Sequence, residues 1–70
     1  MTADEIKVGR LYRTRFGAVK VEFEAYHFGA KTVVWFVSDL CRLTGRLLTS
    51  AAEFDEDITP ADMEVTPVEN

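Results

Sequence analysis

The side chains able to do covalent chemistry are few in this sequence, and they are scattered. His27 and Cys41 are the only residues of their types. Nucleophilic catalysis needs a base held against an activated nucleophile, and no serine or cysteine motif accompanies His27, which reads as a structural residue near a hairpin tip. Cys41 precedes Arg42, a cation that would favour a thiolate, but an isolated cysteine more often serves as a small hydrophobe. One cysteine and one histidine, without C-x-x-C or H-x-x-x-H spacing, give no metal cluster. The four glycines are dispersed turn formers rather than a phosphate-cradling loop. The residues therefore predict a protein that is not an enzyme, with no metal, cofactor or small-molecule substrate. An aromatic cage of Tyr12, Tyr26 and Trp35 is the one ligand-binding alternative.

Charge offers chemistry of a different kind. Residues 1–50 hold eight Lys or Arg against five Asp or Glu, a balance of +3, and residues 51–70 hold seven acids and no base, a balance of -7; the two sum to the net -4. Guanidinium forks fit phosphate, and aromatics stack on bases. Arg13, Arg15, Arg42 and Arg46, with Arg10 nearby, thus form a candidate nucleic-acid contact. The acidic segment counts against tight non-specific binding, because it repels phosphate. That segment, with Glu53, Asp55, Glu56 and Asp57, has its own candidate role as an anionic patch that docks on a basic groove and inhibits a nucleic-acid-binding enzyme of the host. Phe54 and Ile58 within it predict anchoring to the core.

The elements that must position these groups are short strands. Ala18 to Phe28 alternates apolar Val19, Val21, Phe23 and Ala25 with Lys20, Glu22 and Glu24, the period of a half-buried strand. Arg10 to Phe16 reads as a strand ending near Gly17, Thr32 to Ser38 as another, and Gly45 to Ser50 as a fourth. Ser50 to Asp55 reads as one helical turn, with Ser50 as N-cap and Glu53 at capping-box spacing. Met63 to Thr66 is a candidate closing strand. Residues 1–5 and 67–70 read as frayed ends of a single domain spanning residues 1–70. The rhythm predicts an all-β fold: a small SH3-like barrel or a curled antiparallel sheet of four to five strands, with one short helical turn near residues 50–55. There is no run of 18 apolar residues and no basic-then-apolar amino terminus, so neither membrane span nor signal peptide is expected. A single cysteine fits a reducing, cytoplasmic setting.

The segments K-V-G-R-L-Y-R-T-R-F-G-A-V, V-V-W-F-V and G-R-L-L-T-S-A-A-E-F, within residues 6 to 54, resemble the small SH3-like proteins encoded by bacteriophages and integrated phage elements. Those proteins often begin I-x-V-G-x-x-Y-x-x-x-x-G and close with a short helical turn bearing a Phe. The resemblance lies in glycine and aromatic positions rather than in any reactive residue. It implies a barrel fold and adaptor, inhibitor or nucleic-acid-associated roles, with no common enzyme activity.

Val33 to Val37 is apolar on both faces of its strand. An even hairpin loop, such as Gly29-Ala30 or Phe28 to Lys31, pairs Phe23 with Phe36 and Ala25 with Val34. It leaves Tyr26, Val33, Trp35 and Val37 on the face away from the core. An odd loop turns Val33, Trp35 and Val37 inward and leaves Tyr26, Phe28, Val34 and Phe36 outside. Either register leaves an apolar face to be covered, by the acidic end of the chain or by another molecule. The expected function is a protein-interaction module that binds a partner protein or a second copy through this face, with Tyr26, Val33, Trp35 and Val37 as the partner-binding residues.

Overall fold

The computed structural model describes residues 1–42 and 44–64. They form a five-stranded antiparallel sheet: β1 (Leu11–Thr14), β2 (Gly17–His27), β3 (Thr32–Asp39), β4 (Thr44–Leu48) and β5 (Phe54–Asp57), in the order β4-β3-β2-β1-β5. Short 3-10 turns lie at Ala3–Glu5, Ala51–Glu53 and Ala61–Glu64. The fold is all-β, as expected. Trp35 on β3 meets Phe54 on β5 edge to face, with ring centroids 5.4 Å apart. Those strands lie three places apart in the sheet, so the sheet must curl around its core to bring them together.

Local chemistry sets the turns. Between β1 and β2 only Arg15 and Phe16 intervene, because Thr14 pairs with Gly17. The buried Thr14 hydroxyl accepts from the Phe16 N–H and donates to the Gly17 carbonyl, both at 3.0 Å. Gly17 sits at φ 103°, a conformation that costs a residue bearing a Cβ. The β2–β3 loop is Phe28 to Lys31, the even one of the two alternatives, with His27 opposite Thr32. His27 Nδ1 accepts from the Ala30 N–H at 2.9 Å, so this histidine ties the loop down.

The core gathers Ile6, Tyr12, Val19, Val21, Trp35, Val37, Leu48 and Phe54. Tyr12 buries its ring without orphaning its hydroxyl, which accepts from the Lys7 N–H at 2.8 Å and donates to the Glu5 carbonyl at 3.1 Å. Asp39, 3% exposed, accepts from the Cys41 and Arg42 N–H groups through Oδ1 and so shapes the turn after β3. Cys41 itself is exposed rather than a buried hydrophobe.

Two expectations need correction. The amino terminus is not loose: residues 3–5 form a 3-10 turn, the Thr2 N–H donates to Glu5 Oε1, and the terminal ammonium donates to the Phe54 carbonyl at 3.1 Å. The fifth strand is Phe54–Asp57 rather than Met63 to Thr66; residues 63 and 64 belong to a 3-10 turn, and residues 65–70 lie outside the described ones. The helical turn near residues 50–55 is there as expected: it spans Ala51–Glu53 and is capped by Ser50 Oγ, which accepts from the Ala52 N–H at 3.2 Å. It runs directly into Phe54. Buried to 1% exposure, Phe54 fixes that segment as a strand in spite of its acidic, poorly strand-forming sequence.

Candidate interaction surface

A bulge in β2 decides which residues reach solvent. Val21 pairs with Val37, and Phe23 pairs with Phe36, so Glu22 and Phe23 together oppose one residue of β3. The strict alternation of V-K-V-E-F-E is thereby broken after Val21. Val19 and Val21 point into the core, whereas Phe23 points out. The pairing is that of the even loop, yet the inward face of β3 carries Val33, Trp35 and Val37. Ser38 Oγ donates to Glu22 Oε2 at 2.6 Å and anchors the bulge to β3.

The proposed partner-binding set is therefore split. Trp35 and Val37 are 2% and 0% exposed, covered by Phe54, Tyr12 and Ile6 of the same chain. They are core residues and not an exposed face. Val33 is half-buried against that core. Tyr26 alone is well exposed, and its ring stands edge to face on Phe28 at 4.9 Å, near the end of the hairpin. Tyr12, Tyr26 and Trp35 do not assemble a cage, because two of the three are buried in the core and Tyr26 lies near the hairpin tip.

What faces outward instead is a row across three strands. Phe23 (55% exposed) stacks on Phe36, with ring centroids 5.3 Å apart and planes 15° from parallel, and Phe36 pairs with Leu47 (53% exposed) on β4. Val34, on the same side of β3, is nearly buried beside it. The Phe36 ring also lies over Gly45, where an added Cβ would meet the ring's tip at 2.5 Å. A glycine on an outer strand thus makes room for the ring. The row ends at β4, whose other side pairs with no strand among the described residues. Sequence reading found Val34 and Phe36 as outward candidates under one register, but missed Phe23 and Leu47. A bulge leaves no mark on the alternation pattern, and L-L at positions 47–48 does not say which leucine points in.

The two charge sets meet one another. Arg10 Nε lies 2.6 Å from Asp57 Oδ2, Arg13 Nη1 2.8 Å from Glu56 Oε1, and Arg15 Nε 3.1 Å from Glu53 Oε1. Pairing of β1 with β5 builds this ladder, and a register shift at Asp55 lets Phe54 turn inward beside Thr14. For Asp57, burial pushes the carboxyl pKa up, but hydrogen bonds from Arg10 and Thr59 outweigh it and hold the pKa below the usual aspartate value. Arg42 is exposed in the turn after β3. Arg15 and Arg46 lie on the same Phe16 ring, 4.9 and 3.9 Å from its centre, but Arg13 and Arg15 are paired with Glu56 and Glu53, so this cluster is not a surface of one sign. Glu53, Glu56 and Asp57 each face an arginine, so the acidic segment presents mixed rather than uniform charge.

No pocket is present among the described residues, and no helix there is long and apolar enough to cross a membrane. Comparison of the chain with protein-family models, with curated proteins and with solved structures gives no match.

Proposed function

We propose that this protein is a non-catalytic interaction module, of the small SH3-like type that bacteriophages and integrated phage elements encode, and that it binds protein through the outer face of β2, β3 and β4. The observation that carries this reading is the Phe23–Phe36–Leu47 row, three large apolar side chains in one line on a folded surface, two of them about half exposed. Contiguous exposed apolar surface of this kind marks binding sites more often than isolated exposed residues do. The 3-10 turn that delivers Phe54 to the core supports the phage-protein resemblance, in which a closing turn bears a Phe. The arginine–carboxylate ladder favours this reading over nucleic-acid binding or mimicry of phosphate, since each of those needs a surface of one sign.

Photo-crosslinking tests it. Benzoylphenylalanine at position 47 or 23 is expected to give protein adducts on irradiation in the source cells, and the same probe at Asp55 is expected to give few. Equal yields at all three positions, or none, would refute the assignment of the face.

A further inference from the structure

We infer that a second copy of the chain continues this face, joined by antiparallel pairing of β4 with β4 across a two-fold axis that extends the apolar row rather than covering it. This inference rests on the interaction-module reading above and specifies its partner. The apolar row does not stop inside the sheet. It runs out to β4, whose outer edge pairs with no strand among the described residues, and such an edge is a template for another strand. A two-fold axis at Leu47 sets Leu47 against its own copy and continues the row as Phe23–Phe36–Leu47–Leu47–Phe36–Phe23. In the same register Arg46 opposes Leu48 of the other copy, and Gly45 opposes Thr49, so no like charges are placed face to face.

The charge distribution favours the same partner. The segment T-G-R-L-L contains no acid, and its one base is turned onto the Phe16 ring. The acids that would make two copies of a net -4 chain repel lie on and just before the other edge strand, and Glu53, Glu56 and Asp57 among them face arginines. A standard interface removes roughly 800 Å² from each partner, about one-sixth of the 4693 Å² that one copy exposes. A five-residue edge with one apolar row offers less, so the dimer belongs to the weak, transient class.

Cysteine trapping reads the register directly. Paired residues across an antiparallel ladder have Cα atoms about 4.5–5.5 Å apart, within the span a disulfide bridges. In a Cys41→Ser background, Leu47→Cys is expected to form a covalent dimer under mild oxidation at least tenfold faster than Thr44→Cys. Sedimentation of the unmodified chain is expected to show a concentration-dependent dimer that Leu47→Lys weakens at least tenfold, with Trp35 fluorescence showing that the variant remains folded. Equal trapping at 44 and 47, or a strict monomer at millimolar concentration, overturns the dimer. If the benzoylphenylalanine adducts then carry a different protein, the interaction face survives and only its occupant changes. If there are no adducts, both fall.

Discussion

Replacing Phe54 with alanine tests whether the acid-rich end of the chain is structural. Phe54 is 1% exposed and stands edge to face on Tyr12 at 5.5 Å and on Trp35 at 5.4 Å. Truncation removes a buried ring together with both contacts, a change that costs about 3–5 kcal/mol. A domain of 70 residues, at roughly 0.05–0.15 kcal/mol per residue, has about 3.5–10 kcal/mol of stability in all. The substitution therefore removes half or more of a mid-range value. With a urea slope of about 1 kcal/mol per molar for so small a chain, the midpoint falls by about 3 M, or the protein is unfolded in buffer. Trp35 is the only tryptophan and lies against Phe54, so its emission follows unfolding without a label. Two companions bracket the result. Phe54→Leu keeps most of the volume and costs about 1.5 kcal/mol or less, and Phe28→Ala at an 81% exposed site stays within about 0.5 kcal/mol of the parent. If Phe54→Ala unfolds within 1 M of the parent, residues 54–57 are not what covers Trp35, and the account of the core is wrong.

The ladder should contribute little despite its regularity: Arg13 and Glu56 are each more than half exposed, so a double-mutant cycle with alanine should give a coupling under about 1 kcal/mol that shrinks with added salt. A coupling that salt leaves unchanged would contradict this. Asp57, with its folded-state value depressed, stabilises the protein above its unfolded value near 4 and loses that contribution as pH falls through the lower, folded value. Denaturation of the parent and of Asp57→Asn should accordingly differ at pH 7, with the difference shrinking as pH falls below about 4; a difference that grows as pH falls argues against the carboxylate as its source. Asp39→Ala strips the acceptor from two backbone N–H groups at a nearly buried site and should cost about 1–3 kcal/mol in urea denaturation, with Asp39→Asn recovering part of it.

The sequence located the hairpin well, because its signals are local. Alternation from Val19 to Ala25 marks β2, the apolar run marks β3, and the Phe28 to Lys31 loop falls between them. Ser50 and Glu53 likewise announced the turn that Ser50 caps. What it misplaced depends on partners far along the chain. The segment E-F-D-E-D has no strand propensity of its own, and becomes β5 because Phe54 is drawn into the core and β1 supplies arginines opposite its acids. The amino terminus, unpatterned in sequence, is held by a bond from its ammonium to the Phe54 carbonyl.

The candidate site shows the same division. Composition and period alone determined an all-β chain with more apolar surface on β3 than one face of a sheet can bury, and so determined that a second face carries apolar side chains. Which face that is, only the tertiary structure decided. The side-chain period of a strand is two, so one extra residue at Glu22 exchanges the faces of everything beyond it on β2. With Phe54, Tyr12 and Ile6 already packed on the Trp35 side, the bulge turns Phe23 to the outer face, beside Phe36 and Leu47.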